Sequence, residues 1–159
     1  MPRNFKSTAA LTKPDPKFGS MLASKIINKI MLSGKKSTAQ GIFYEALDKA
    51  EKKLPELEEG QEEIFVKAID NIRPSVEVRS KRVGGANYQV PREVKRNRQQ
   101  SLAVRWLVDN ARKKKGKPMA DRLAEEFVDA YNGTGASVTW KENIHKMAEA
   151  NRAYAHYAR

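Results

Sequence analysis

Apolar residues recur at helical spacing along most of this chain, and the pattern changes to a period of two only between Val76 and Val90. That change constrains the fold strongly, because a 3.6-residue stripe covers a core as a helix and an alternating run covers it as a strand. Met21, Leu22, Ile26, Ile27, Ile30 and Met31 predict a first helix from Ser20 to about Ser33, with Gly34 as its stop. Phe43, Ala46, Leu47 and Ala50 mark a second, and the capping-box spacing of Ser37-Thr38-Ala39-Gln40 starts it at Ser37. A short acidic connection from Leu54 to Gly60 leads to a third helix carrying Ile64, Phe65, Ala68, Ile69 and Ile72, stopped by Pro74. Val76 and Val78 then alternate with Glu77 and Arg79. Asn87-Tyr88-Gln89-Val90 alternates again after Gly84-Gly85, and Pro91 ends this hairpin.

The helical period returns from about Val94. Leu102, Ala103, Val104, Trp106, Leu107, Val108 and Ala111 form so broad a belt that this fourth helix is expected at the centre of the bundle. A fifth begins at Pro118, carries Leu123, Ala124, Phe127, Val128 and Tyr131, and closes at Asn132-Gly133. A sixth starts at a second capping box, Thr139-Trp140-Lys141-Glu142, and runs through Met147 toward the end. The expected fold is mainly α: about six helices with one projecting β-ribbon at about 75–91, between the third and fourth. Residues 1–19, with Pro14, Pro16 and Gly19, read as an extended basic arm that orders on binding, ahead of a single helical domain spanning 20–159.

Charge points to the partner. A net charge of +12 exceeds what solubility requires and favours a polyanion. It comes in blocks: residues 1–36 hold eight Lys/Arg against one Asp, 37–72 hold four against nine acids, and 73–99 return to eight against two. Such alternation predicts one anion-facing side and another turned away. No apolar run approaches the ~18 residues of a membrane span. The start lacks a secretory h-region, and with no cysteine there is neither a disulfide framework nor a thiolate site, which fits the cytoplasm.

Helix polarity separates charges with a local structural reason from those without one. Arg112, Lys113, Lys114 and Lys115 lie at the C-terminal end of the fourth helix, where the dipole favours cations. Arg92, Lys95, Arg96 and Arg98 crowd its N-terminal end, where the dipole opposes them, so an outside anion is expected there. Lys35 and Lys36 stand at the start of the second helix, whose free N–H groups already suit a phosphate. Lys17, beside Phe18-Gly19-Ser20, is a weaker candidate of the same kind. Arg79, Lys81 and Arg82 give the ribbon its charge, and Gly84 and Gly85 permit a tight turn or a close approach to a partner. Tyr88 suits either base stacking or packing within the ribbon. Trp106 reads as core; Trp140, at a helix start, suits a surface contact or a staple.

Catalytic patterns are lacking. His145 and His156 are the only histidines, and the pairing of Glu142 with His145 is too sparse for a metal site. Gly133-Thr134-Gly135-Ala136-Ser137 lacks the ending of a P-loop, and neither a nucleophile elbow nor a dinucleotide fingerprint is present, so no cofactor is expected.

Several strings together resemble the small ribosomal subunit protein seven family of bacterial or organellar type. They are Pro14-Asp15-Pro16-Lys17-Phe18-Gly19-Ser20, Gly34-Lys35-Lys36-Ser37-Thr38-Ala39, the run from Val76 to Ala86 followed by Tyr88-Gln89-Val90-Pro91, and Met147 to Tyr157. The resemblance implies six helices plus a β-ribbon. It implies a primary binder of the 3′ major domain of small-subunit rRNA that organises the subunit head, with its ribbon near the exit-site tRNA and the mRNA path. The eleventh small-subunit protein is implied as a neighbour. The chain departs from the family pattern at Val94-Lys95-Arg96, at Trp140 in a stretch that is usually basic, and at its Tyr157-Ala158-Arg159 ending. Two rivals share the basic surface: an architectural DNA-binding protein using the ribbon as a groove arm, and an RNA-modifying enzyme, for which no nucleophile, metal site or cofactor loop is found.

Overall fold

The computed structural model describes residues 11–54 and 60–158. Most of the expected arm (1–10) and most of the acidic connection (55–59) lie outside the described residues. The elements are α1 (Met21–Ile30), α2 (Lys36–Glu51), α3 (Gln61–Ile72), β1 (Val76–Val83), β2 (Ala86–Glu93), α4 (Arg96–Lys113), α5 (Met119–Tyr131), α6 (Gly135–Ala150) and a closing 3-10 helix, Arg152–Ala158. The predicted helical fold with one antiparallel hairpin between the third and fourth helices is the observed one.

The core forms where the apolar stripes of the helices converge. Phe43 of α2, Phe65 of α3 and Phe127 of α5 are fully buried and meet in edge-on or tilted pairs with centroids 5.8–6.1 Å apart, a geometry that suits the ring quadrupoles. Ile26, Ile27, Leu47, Ile64, Ile69, Leu107 and Leu123 fill the space around them. The centre is shared: α5 packs on α2, α3, α4 and α6, and α4 packs on α1, α3, α5 and α6. Trp106 is only partly buried and packs against the core from its edge.

Residues 13–20 are packed on the body. Asp15 is buried and accepts hydrogen bonds from the N–H groups of Lys17 and Phe18 and from the Tyr44 hydroxyl at 2.7 Å. Phe18 packs edge-on against Phe43, Tyr44 and Phe65. Burial and the Asp15 carboxylate push the Tyr44 phenol up to about 12, since both disfavour a phenolate there.

Several element ends differ from expectation for identifiable reasons. The first helix stops at Ile30, because Met31 is extended and the chain then turns at Ser33 and Gly34, both at positive φ. Neither capping box caps. The second helix begins at Lys36 after Lys35 rather than at Ser37, with no side-chain cap, so Ser37 already lies inside the first turn. The sixth begins at Gly135, and Thr139 donates its hydroxyl back to the Gly135 carbonyl from within the helix. Its start is set by its neighbours: Thr134 donates to the Asp129 carbonyl through both N–H and Oγ1. A Cβ on Gly135, which sits at φ 89°, would lie 2.6 Å from that of Asp129. Pro91 does not end the hairpin; β2 continues to Glu93 with Pro91 opposite Val78, which an isolated two-stranded ribbon tolerates because both its strands are edges. Val94 anchors the base of the ribbon, buried and bonded to the Ser75 carbonyl, and the fourth helix starts two residues later.

Candidate nucleic-acid interface

Alternation along the ribbon sorts its cations onto two faces. Glu77 opposite Arg92, Arg79 opposite Val90 and Lys81 opposite Tyr88 share one face; Val78 opposite Pro91, Ser80 opposite Gln89 and Arg82 opposite Asn87 share the other. Gly84 and Gly85, at φ 57° and 86°, close the ribbon in two residues, the conformation that matches the twist of a tight hairpin. The first face is partly covered. The ring of Tyr88 packs on Tyr154 and Tyr157 of the 3-10 helix at 5.1 and 5.4 Å, and Lys81 Nζ donates to the Tyr157 carbonyl. Tyr88 is therefore half-buried in a tyrosine cluster, and Arg82, exposed near the turn, projects from the other face.

The base of the ribbon is locked to α4 by charge. Glu77, buried in β1, lies 2.6 Å from Arg79 Nε and 2.8 Å from Arg98 Nε. One carboxylate flanked by two guanidiniums leaves that site net positive. Arg92, Lys95 and Arg96 make no ion pair or side-chain hydrogen bond among the described residues. The first turn of α4 contains no acid, so its free N–H groups are uncompensated as well.

At the other end of α4 the basic run divides. Arg112 donates to the carbonyls of Lys29 and Ile30, closing the C-terminal end of α1. Lys114 lies 3.1 Å from Glu126 Oε2, a contact with the distance of an ion pair but not the angle of a hydrogen bond, and also faces Asp129 and Glu125 of α5. Both are engaged within the protein. Lys113 and Lys115 are exposed, with Lys113 bonded to Asn110 and lying over the Trp140 ring. Since α1 runs alongside α4, with Lys29 paired to Asp109 and Ile30 meeting Arg112, the turn that leads to Lys35 and Lys36 lies at this same end. The side chains of Lys35 and Lys36 have no partner among the described residues. Lys17 is held by Gln61 and Asp48, with the Phe18 and Tyr44 rings nearby.

The predicted residues thus gather into two clusters, one at each end of α4. Arg79, Arg92, Lys95, Arg96 and Arg98 stand at the ribbon end; Lys35, Lys36, Lys113 and Lys115 stand at the other. Sequence reasoning missed a third basic surface, a groove of about 440 Å³ lined by Lys49, Lys52, Lys53 and Lys117. Asp121 and Glu125 also line it, and hydrogen bonds to Lys49 and Lys117 hold those two carboxyls below the usual range while raising the two ammoniums. The runs Glu51-Lys52-Lys53 and Lys115-Gly116-Lys117 held the signal, but nothing local shows that they meet.

His145 also gains a role invisible in the sequence. Its Nε2 accepts the Ser75 N–H at 3.2 Å, joining α6 to the foot of the ribbon, and burial followed by the nearby Lys141 lowers its pKa. Among the described residues no group of three or more His, Cys, Asp or Glu could hold a metal ion, and no helix is long and apolar enough to cross a membrane.

Known proteins resemble this sequence over nearly the whole chain. Residues 2–152 match the family model described as ribosomal protein S7p/S5e. The small ribosomal subunit protein uS7 of Chloroflexus aurantiacus is 54% identical over 159 residues, covering 100% of this chain and 99% of that protein. The uS7 proteins of Fervidobacterium nodosum and Bifidobacterium longum subsp. infantis are 50% and 53% identical, each alignment covering 98% or more of both chains. With a family-model match over residues 2–152 and relatives about half identical over the full length, the chain belongs to the ribosomal protein S7p/S5e family.

Proposed function

We propose that this chain is a non-catalytic RNA scaffold of the small ribosomal subunit. It seats on a junction in the 3′ major domain of the rRNA and helps to organise the subunit head. The observation that carries the reading is the pair of basic clusters at the two ends of α4, whose apolar flank is packed into the body. Arg92, Lys95 and Arg96 lie at its start and Lys113 and Lys115 at its end, all exposed and none of them in an ion pair among the described residues. Phosphates satisfy such clusters without reading base sequence, so the RNA is recognised chiefly by its folded shape. The ribbon, with Arg82 and the Gly84-Gly85 turn on its free side, extends toward the exit-site tRNA and the mRNA path, and the eleventh small-subunit protein is a neighbour. The ribosome is then its location.

The family match gives no support to the architectural DNA-binding alternative. Chemical footprinting of small-subunit RNA with and without the protein tests the proposal. Protection concentrated at a junction of the 3′ major domain is expected, and equal affinity for matched RNA and DNA junctions would overturn it.

A further inference from the structure

An indole stands open to solvent beside the basic end of α4. Trp140 is 44% exposed, and Lys113 Nζ lies 4.8 Å from its ring centroid. The placement is fixed from within: Lys113 Nζ donates to Asn110 Oδ1 at 3.2 Å, and the buried Asn110 donates in turn to Ser137 Oγ, one helical turn before Trp140. Along the same side of α6, Ile144 is half-buried and Met147 is exposed. Lys113 lies over the indole and Lys115 is exposed two residues further on, while the carboxylates at this end, Glu126 and Asp129 of α5 and Asp109 of α4, are paired with Lys114 and Lys29.

An apolar protein surface laid on this indole would leave those ammoniums facing an uncharged partner. A nucleotide meets both demands at once, since its base offers a π face to the ring and its phosphate an anion to the lysines. We propose that Trp140 is a stacking platform for one unpaired nucleobase of the bound RNA, with Lys113 and Lys115 meeting the flanking phosphates. This rests on the RNA-binding reading above and adds to it a site that reads a base out of its helix.

The test compares two RNAs, a junction transcript with unpaired purines and a fully paired duplex of equal length, with binding followed by gel shift and by tryptophan emission. Subtracting the Trp140→Phe spectrum isolates the emission of this indole while leaving Trp106 in place. The junction is expected to quench that emission and the duplex to leave it unchanged. Trp140→Ala should bind the junction about 5- to 150-fold more weakly, the range for loss of one stacked base, and Trp140→Phe should recover most of the loss. Junction binding with unchanged emission and undiminished Trp140→Ala affinity would overturn the platform while leaving the RNA-binding function intact. A wild-type protein that fails to bind the junction at low salt would overturn the function itself, and the platform with it.

Discussion

Glu126 of α5 accepts two hydrogen bonds from Ser137, one from its backbone N–H at 3.0 Å and one from its hydroxyl. A fully buried carboxylate on one helix thereby satisfies the first turn of the next, which its own Thr134 leaves uncapped. Lys114 neutralises the same carboxylate from the end of α4, so three helices meet at one charge. Glu126→Leu keeps the volume but leaves the buried Ser137 N–H without its acceptor, while Lys114 retains Asp129 and Glu125. A loss of about 1–3 kcal/mol is expected, as for a buried donor left unsatisfied, readable as a lower urea midpoint.

Arg112 and Arg96 should separate stability from binding. Arg112→Met removes the donor that closes α1 and should cost about 1.5–3 kcal/mol of stability, while the salt dependence of RNA binding stays as it was. Arg96→Ala touches no partner among the described residues. It should leave stability nearly unchanged and lower the slope of log affinity against log salt by about 0.7–0.9. A slope unaltered in Arg96→Ala would take that residue out of the interface. Arg98→Ala should show both effects, since Arg98 also pairs with Glu77.

Arg82 is exposed near the ribbon's turn, away from the body, so Arg82→Ala should weaken exit-site tRNA events in assembled subunits more than binding to isolated junction RNA. Equal losses in the two assays would place Arg82 in the junction contact instead.

His145 makes the attachment of the ribbon sensitive to acid. Burial and Lys141 lower its pKa in the folded state, so the unfolded chain takes up the proton first as pH falls. The stabilising effect is complete above the unfolded value, near 6.5, and is lost on acidification through the lower folded value. A protonated ring cannot accept the Ser75 N–H, and Arg92, Glu93, Glu149 and Arg152 are the charged groups that line the same pocket. Thermal melts from pH 7.5 to 5 should show a smaller acid loss in His145→Gln than in the wild type.

The stripes of α3 and α5 were legible because each buries a continuous face, and the ribbon was legible because its period differs from everything around it. The starts of α2 and α6 were not. Ser37 and Thr139 have the spacing of caps, but the groups that set those starts come from elsewhere: the turn at Ser33-Gly34 for one, and Glu126 and Asp129 of α5 for the other. The candidate site divides in the same way. Opposition to the helix dipole picked out Arg92, Lys95, Arg96 and Arg98 together but could not show that Glu77, brought over by the ribbon, pairs with Arg98. Charge alone could not tell Lys114, bound by three carboxylates, from its neighbour Lys115. The packing of Tyr88 against Tyr154 and Tyr157 joins residues more than sixty positions apart, a relationship that periodicity does not carry.

The helix that separates the two basic clusters has eighteen residues, which at 1.5 Å per residue makes a strut about 27 Å long. Packed along one flank, it holds the two clusters at a fixed separation. On the RNA-scaffold reading proposed above, the fold of the RNA must then present phosphates about that far apart, so spacing joins charge as a condition of fit.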